Sequence, residues 1–164
     1  MEKSPDVTAV FDCRRCGDCC RGRGGIVLRT LDEERLAVFL GIRVPDLRTR
    51  FTEFSHGKRG LVTGEDGWCV FFGSAGCAVH PAKPGVCRAW PFFRGNLVDP
   101  VSFAMAKAGC PGIREHVAFS VFSETGARYL LAEEAYALRD GNGSPAALLS
   151  EDELRRLVDG EDSA

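Results

Sequence analysis

The sequence lacks the long apolar segments that membrane proteins need. No stretch of its 164 residues is continuously apolar over the roughly 18 residues that cross a bilayer as a helix. Its first residues, MEKSPDVTAVF, do not contain the apolar core of a secretory signal peptide. We therefore expect no membrane association and a cytoplasmic location.

The sequence also lacks a strong excess of either charge. It has 21 lysines and arginines against 23 aspartates and glutamates, a formal net charge of −2. Nucleic-acid-binding domains usually carry a basic footprint, so we expect no nucleic-acid partner. Dinucleotide-binding glycine fingerprints, phosphate-binding loops and the HExxH motif are also missing, and no catalytic constellation is evident.

Cysteine is what the sequence has in abundance. Of its eight cysteines, four fall within the segment FDCRRCGDCCRG, between positions 13 and 20. Cytosolic thiols stay reduced, and clustered thiols in a reducing compartment indicate metal binding rather than disulfides. The predicted metal ligands are all eight: Cys13, Cys16, Cys19, Cys20, Cys69, Cys77, Cys87 and Cys110.

The spacing of these cysteines leaves the metal open. Thiolates are soft ligands that favour zinc, iron–sulfur clusters or Cu(I). Cys13-x2-Cys16-x2-Cys19 with a remote cysteine resembles the ferredoxin spacing for one [4Fe–4S] cluster, and Cys110 is followed by proline as in that motif. Eight thiolates also suffice for two zinc sites of four cysteines each. Because a run of three evenly spaced cysteines is unusual for one zinc ion, we favour iron.

The residues around the cysteines fit either metal. Four arginines lie between positions 13 and 23, where they would stabilise thiolate charge. Phosphate or RNA binding by these arginines is the rival interpretation, and the net negative charge of the whole chain disfavours it.

His80 follows Cys77 at a spacing that zinc sites use, but eight cysteines already fill two tetrahedral sites, so we do not expect His80 to be a ligand. His56 and His116 are predicted to be solvated.

Local patterns predict a small, irregular α+β domain with short strands, several helices and long cysteine-bearing loops. We expect a flexible arm at 1–10, a metal-binding domain at 11–140 with a single core, and a linker with a short terminal helix at 141–164. In the first half of the chain we predict an extended segment at 26–29, a helix capped by Thr30 and Glu33, and a helix from Pro45 to about Phe54. A hairpin around GSAG and a type II turn at Pro84-Gly85 follow. The last predicted elements are a helix over Phe119–Arg139, broken only weakly by Gly126, and a helix capped by Ser150 and Glu153. Paired acids such as Glu33-Glu34 are predicted to be solvated, and WPFF at 90–93 is predicted to be core.

Several motifs in order resemble one known family. FDCRRCGDCCRG, then GIVLRTLDEERLAVFLGI, CVFFGSAGCAVHPAKPGVCRAWPF and CPGI are similar to the successive blocks of the CxxCxxCC (YkgJ-type) cysteine-cluster family. The resemblance covers about residues 11–115 and places all eight cysteines on family positions. His80 stands where the family often has tyrosine, and Lys83 stands where arginine is usual. The resemblance implies a zinc- or iron-chelating domain, often described as containing an iron–sulfur cluster.

These observations lead to a metal-binding protein with a cysteine-ligated centre. The cofactor expected is an iron–sulfur cluster of the [4Fe–4S] type, serving structure and either electron transfer or redox sensing, with an unknown protein or redox partner. The alternative is a zinc-stapled module for structure or interaction. A third alternative is a protein-modifying enzyme, because some relatives in the family are linked to flagellin lysine methylation.

Overall fold

The described residues form two compact units. The computed structural model describes residues 5–21, 26–133 and 148–160. The helical unit contains residues 5–14, 89–133 and 148–160, and the cysteine-rich unit contains residues 15–21 and 26–88. Helices combined with two antiparallel two-stranded sheets confirm the predicted α+β class. No helix in these ranges is long and apolar enough to cross a membrane.

The cysteine-rich unit has short elements joined by tight turns. They are α1 (Thr30–Leu40), α2 (Val44–Phe51), β1 (Thr52–Ser55), β2 (Lys58–Leu61), β3 (Phe72–Gly73), β4 (Gly76–Cys77), a 3-10 turn (His80–Ala82) and α3 (Gly85–Ala89). Phe72 pairs with Cys77 and Gly73 with Gly76, which confirms the predicted hairpin around GSAG. Buried apolar residues gather in this unit around Leu36 and Leu47, both 0% exposed.

The predicted cap of helix α1 is wrong, because Thr30 is the first helical residue and not the N-cap. The N-cap residue is Arg29, whose backbone N–H donates to the Asp32 carboxylate at 2.9 Å. Glu33 was expected to cap the helix and to be solvated, and both expectations are wrong. Its side chain is only 5% exposed, and it pairs with Arg48 at 2.6 Å and Arg59 at 3.4 Å. A buried carboxylate needs such partners, because burial without them is costly.

The second predicted helix ends earlier than expected. Helix α2 stops at Phe51, and the chain continues into the β1–β2 hairpin. His56 and Gly57 form the turn with positive φ angles of 52° and 75°, which a two-residue hairpin with right-handed strand twist requires. The predicted extended segment at 26–29 lies beside β2, where Leu28 N–H donates to the Arg59 carbonyl at 2.9 Å.

The helical unit is built around phenylalanine and leucine. Its helices are α4 (Arg94–Val98), α5 (Pro100–Gly109), α6 (Phe119–Ala132) and α7 (Glu151–Asp159). Its buried core includes Phe92 of the WPFF segment, as predicted, together with Phe122 and Val10, each at most 1% exposed. The unit therefore has its own buried apolar cluster. Residues 134–147, which include the predicted linker and the end of the predicted helix to Arg139, lie outside the described residues.

The start of α7 confirms the predicted capping box. The Glu153 carboxylate accepts from Ser150 N–H at 2.7 Å, and Glu153 N–H donates to Ser150 Oγ at 3.3 Å. Arg94 adds a two-pronged ion pair to the same carboxylate at 2.8 and 3.1 Å. Hydrogen bonds from Arg94, followed by those from Ser150, lower the pKa of Glu153 to about 2.

We predict an acid-dependent contribution of Glu153 to stability. Because its pKa is lower in the folded state, the contribution is complete above about pH 4.5, its ordinary pKa, and is lost as the pH falls towards 2. Glu153→Gln should lower the free energy of unfolding in urea by roughly 1–2 kcal/mol at pH 7. The difference from the wild-type protein should shrink as the pH falls below 4.5.

The matched control is Glu151→Gln on the same helix. Glu151 makes an exposed ion pair with Arg155, and such pairs contribute at most about 0.5 kcal/mol. An equal loss in the two variants, or a Glu153→Gln effect that does not change between pH 7 and pH 3, would contradict the prediction.

Candidate metal centre

The structure places the eight predicted ligands in two groups. All eight are free thiols. Two of them, Cys13 and Cys110, belong to the helical unit. The other six belong to the cysteine-rich unit: Cys16, Cys19, Cys20, Cys69, Cys77 and Cys87.

Backbone pairing brings the segments of Cys13 and Cys110 together within the helical unit. Phe11 forms an antiparallel bridge with Ile113. Asp12 N–H donates to the Gly112 carbonyl at 2.9 Å, and a Cβ on Gly112 would lie only 2.7 Å from the Asp12 oxygen. The position therefore requires glycine, and Cys13 and Cys110 lie on adjoining strands of chain. Their role as metal ligands stays a prediction from the sequence.

In the cysteine-rich unit, a tight turn presents Cys19 and Cys20. Gly17 adopts a left-handed conformation, with φ of 87°, and precedes a single 3-10 turn over Asp18–Cys20. The turn is closed by Cys20 N–H, which donates to the Gly17 carbonyl at 2.7 Å. The ring of Phe72 packs so closely on Gly17 that a Cβ there would overlap it. Glycine is therefore needed at this position both for its backbone conformation and for its lack of a side chain.

The two following cysteines are tied to this turn by main-chain contacts. Cys69 N–H donates to the Cys20 carbonyl at 2.8 Å. Phe72 N–H donates in turn to the Cys69 carbonyl at 2.9 Å, and Phe72 pairs with Cys77 across the β3–β4 hairpin. Residues far apart in the chain are thus fixed near one another by backbone hydrogen bonds.

Cys87 reaches the same region from helix α3. The predicted type II turn at Pro84-Gly85 is wrong, because Gly85 has no positive φ and instead begins the helix. Gly85 N–H donates to Asp32 Oδ1 at 3.0 Å, and the Asp32 side chain is fully buried. A carboxylate at the start of a helix accepts an N–H that no helical carbonyl can satisfy. Asp32 therefore anchors the helix that carries Cys87.

Mutual effects on pKa show that five of these thiols lie within electrostatic reach of one another. The hydrogen bond from Cys20 lowers the pKa of Cys19 to about 6, with further stabilisation by the positive charge of Lys83. The same hydrogen bond raises the pKa of Cys20, as do burial and the charges of Cys19, Cys69 and Cys77. We call this set the thiol cluster: Cys19, Cys20, Cys69, Cys77 and Cys87.

The more buried members of the thiol cluster resist ionisation. Burial raises the pKa of Cys87, and the nearby Cys19, Cys69 and Cys77 raise it further. Burial also raises the pKa of Cys69. Cys16 lies outside this set, is exposed, and contacts Asp18 through its sulfur at 3.8 Å. The cluster therefore has a buried side at Cys69 and an exposed edge at Cys19.

Aromatic rings cover the turn that presents the cysteines. Trp68 stacks on Phe72, with ring centroids 4.5 Å apart, and Arg21 lies over the Trp68 ring, 4.4 Å from its centroid. Arg21 and Trp68 also form an antiparallel bridge. Arg21, which the sequence predicted to neutralise thiolate charge, is held here by an aromatic ring.

His80, which was not expected to be a metal ligand, has an unpaired ring nitrogen in the part of the chain that the structure describes. Its Nε2 atom is buried and has no hydrogen-bond partner among the described residues. Burial lowers the pKa of His80, and the charges of Lys83 and Arg15 lower it further, so the ring is held neutral. The other two histidines are exposed as predicted, with His56 bonded to Ser55 at 2.8 Å.

The donor set suits a thiophilic metal. Neutral imidazole and cysteine sulfur are the ligands preferred by zinc, iron–sulfur clusters and Cu(I). Within residues 5–21, 26–133 and 148–160, no three histidine, cysteine, aspartate or glutamate side chains stand in a geometry ready for a metal ion. The fit therefore rests on the chemistry of the thiol cluster and on the buried nitrogen of His80.

A comparison with protein families supports this chemistry. A family model named CxxCxxCC matches residues 12–111, a range that includes all eight cysteines, and its description reads "Putative zinc- or iron-chelating domain". Neither the curated proteins nor the solved structures gave a match to the chain.

We predict that Gly17→Ala disrupts the turn that presents the cysteines. A left-handed alanine costs about 1–2 kcal/mol, and displacement of the Phe72 ring adds roughly 1–3 kcal/mol. We expect a loss of roughly 2–5 kcal/mol in the free energy of unfolding and a fall in bound metal, measured by urea denaturation and elemental analysis.

Gly67→Ala separates the cost of the left-handed backbone from the cost of displacing the Phe72 ring. Gly67 has nearly the same φ, 84°, but a methyl group added there would meet no heavy atom within 4 Å. This variant should show only the backbone cost and keep its metal. If Gly17→Ala were no worse than Gly67→Ala in both measurements, close packing of Phe72 on the turn would not matter.

Proposed function

Since the chain belongs to the CxxCxxCC family of zinc- or iron-chelating domains, we propose that its thiol cluster holds a [4Fe–4S]-type iron–sulfur cluster. The cluster stabilises the fold and takes part in electron transfer or redox sensing. The observation that carries the proposal is the gathering in one unit of five thiols that lie within electrostatic reach of one another. Chance burial of inert cysteines would not bring together residues from three separate stretches of chain.

Charge and exposure around the thiol cluster support a redox role. Four thiolates on an oxidised [4Fe–4S] cluster carry a net negative charge, which Lys83 lies close enough to offset at Cys19. Cys69 is buried whereas Cys19 is exposed, so one side of the centre is shielded and the other faces solvent. Electron exchange with a protein partner needs such an exposed edge, and a reducing cytoplasm would keep the thiols available as ligands.

Zinc is the second candidate, and His80 favours it. Cys77 and His80 have the two-residue spacing common among zinc ligands, and the His80 Nε2 atom is buried without a hydrogen-bond partner among the described residues. A centre of this kind would have no redox role. It would cross-link the β3–β4 hairpin to helix α3 and to the turn at Cys19 and Cys20.

The metal content of the purified protein distinguishes the two candidates. Anaerobically purified protein should be brown, with a broad visible absorbance band and matching amounts of iron and acid-labile sulfide. Cys77→Ser should remove most of the colour and iron, because it deletes a ligand. A colourless protein that contains stoichiometric zinc would reject the iron–sulfur proposal in favour of zinc.

Ser74→Ala is the matched control for Cys77→Ser. Ser74 lies in the exposed turn of the same β3–β4 hairpin, so the substitution tests the hairpin without touching a thiol. It should keep the iron and sulfide content of the wild-type protein. Equal metal loss in the two variants would mean that hairpin integrity, rather than ligation by Cys77, controls binding.

We expect removal of the metal to unfold the domain. Thiolate sites can contribute roughly 10–16 kcal/mol of apparent binding energy, which compares with about 5–15 kcal/mol for the whole stability of a typical domain. Far-ultraviolet circular dichroism should lose helical signal when a chelator has removed the metal. An unchanged spectrum, with metal loss verified by elemental analysis, would contradict a structural role.

A further inference from the structure

We propose that His80 supplies its Nε2 nitrogen as a ligand to the metal centre of the thiol cluster. This inference rests on the proposed metal-binding function and adds a residue that neither the cysteine pattern nor the family description assigns. It also reverses the expectation from the sequence, where eight cysteines left no place for a histidine ligand.

The first argument is the unsatisfied nitrogen itself. A neutral imidazole has one N–H donor and one acceptor nitrogen, and a buried polar atom without a partner costs about 1–3 kcal/mol. The Nε2 atom of His80 is buried and has no partner among the described residues. Native proteins rarely keep such an atom without a reason, and a bound metal ion is one of the few that removes the cost.

The second argument is where the ring lies. His80 begins the 3-10 turn that directly follows β4, which ends at Cys77. Val79, directly before His80, is 1% exposed, so its side chain lies in the core of the unit. Only two residues separate Cys77 from His80, and Lys83 lies within electrostatic reach of the imidazole and of Cys19 and Cys87.

The surrounding charges keep the ring in its ligating form. A histidine binds metal only as neutral imidazole. The groups that act on His80 are Lys83 and Arg15, both positive, and with burial they disfavour a third positive charge on the ring. Lys83 therefore has two effects, because it stabilises the thiolate of Cys19 and keeps His80 neutral.

An imidazole ligand would change the charge of the centre. Three thiolates and one neutral imidazole on Zn²⁺ leave a net charge of −1, compared with −2 for four thiolates. In an iron–sulfur centre, replacement of thiolate by histidine raises the reduction potential. His80 would thus make the centre less negative than an all-cysteine centre.

The test is X-ray absorption at the edge of the metal that the intact, anaerobically purified protein contains. We expect the wild-type spectrum to include a nitrogen ligand with the outer-shell scattering of an imidazole. His80→Cys should keep the metal and convert the spectrum to sulfur ligation alone. The control variants His56→Ala and His116→Ala alter exposed rings and should leave the nitrogen contribution unchanged.

The outcomes separate this inference from the function on which it rests. A wild-type spectrum with sulfur ligands only would overturn the role of His80 and leave the metal-binding function intact. Loss of the imidazole signal in His56→Ala or His116→Ala would also overturn it. If the purified protein held no metal and took up none from added Zn²⁺ under reducing conditions, both proposals would fall.

Discussion

Five thiols held within electrostatic reach of one another cannot all be ionised unless a cation joins them. Within the adjacent pair, one hydrogen bond lowers the pKa of Cys19 and raises the pKa of Cys20, so it favours one thiolate rather than two. Each further negative charge raises the cost of the next, as the effect of Cys19, Cys69 and Cys77 on the pKa of Cys87 illustrates. A divalent metal or an iron–sulfur cluster removes that repulsion, so the charge balance of the site favours a cationic centre.

Two adjacent buried carboxylates on helix α1 hold the elements of the cysteine-rich unit together. Asp32 binds the first N–H of helix α3 and so sets the position of Cys87. Glu33, the next residue, pairs with Arg48 of α2 and Arg59 of β2. Because neighbouring side chains on a helix point about 100° apart, the two acids fasten α1 to different parts of the unit. The cysteine-rich unit therefore depends on buried carboxylates with half-buried arginine partners as well as on its apolar core.

Local signals in the sequence were sufficient for the fold class and for several elements. The GSAG hairpin and the capping box of α7 each depend on residues within a few positions of one another, and each is confirmed. The wrong predictions share a different cause. Gly85 begins a helix because its N–H meets a carboxylate 53 positions earlier, and Glu33 is buried because an arginine 15 positions away neutralises it. Such partners are fixed by tertiary structure and leave no local pattern.

The adjacent pair Cys19-Cys20 shows how the candidate site goes beyond its sequence motif. Spacing alone cannot say which of two neighbouring thiols ligates a metal. In the structure a hydrogen bond between the two thiols lowers the pKa of Cys19 and raises the pKa of Cys20, and the two side chains differ in exposure. Cys19 lies towards solvent and Lys83, whereas Cys20 is joined through its carbonyl to Cys69. The motif alone therefore does not distinguish the two thiols, whereas their exposure and their main-chain contacts in the folded chain do.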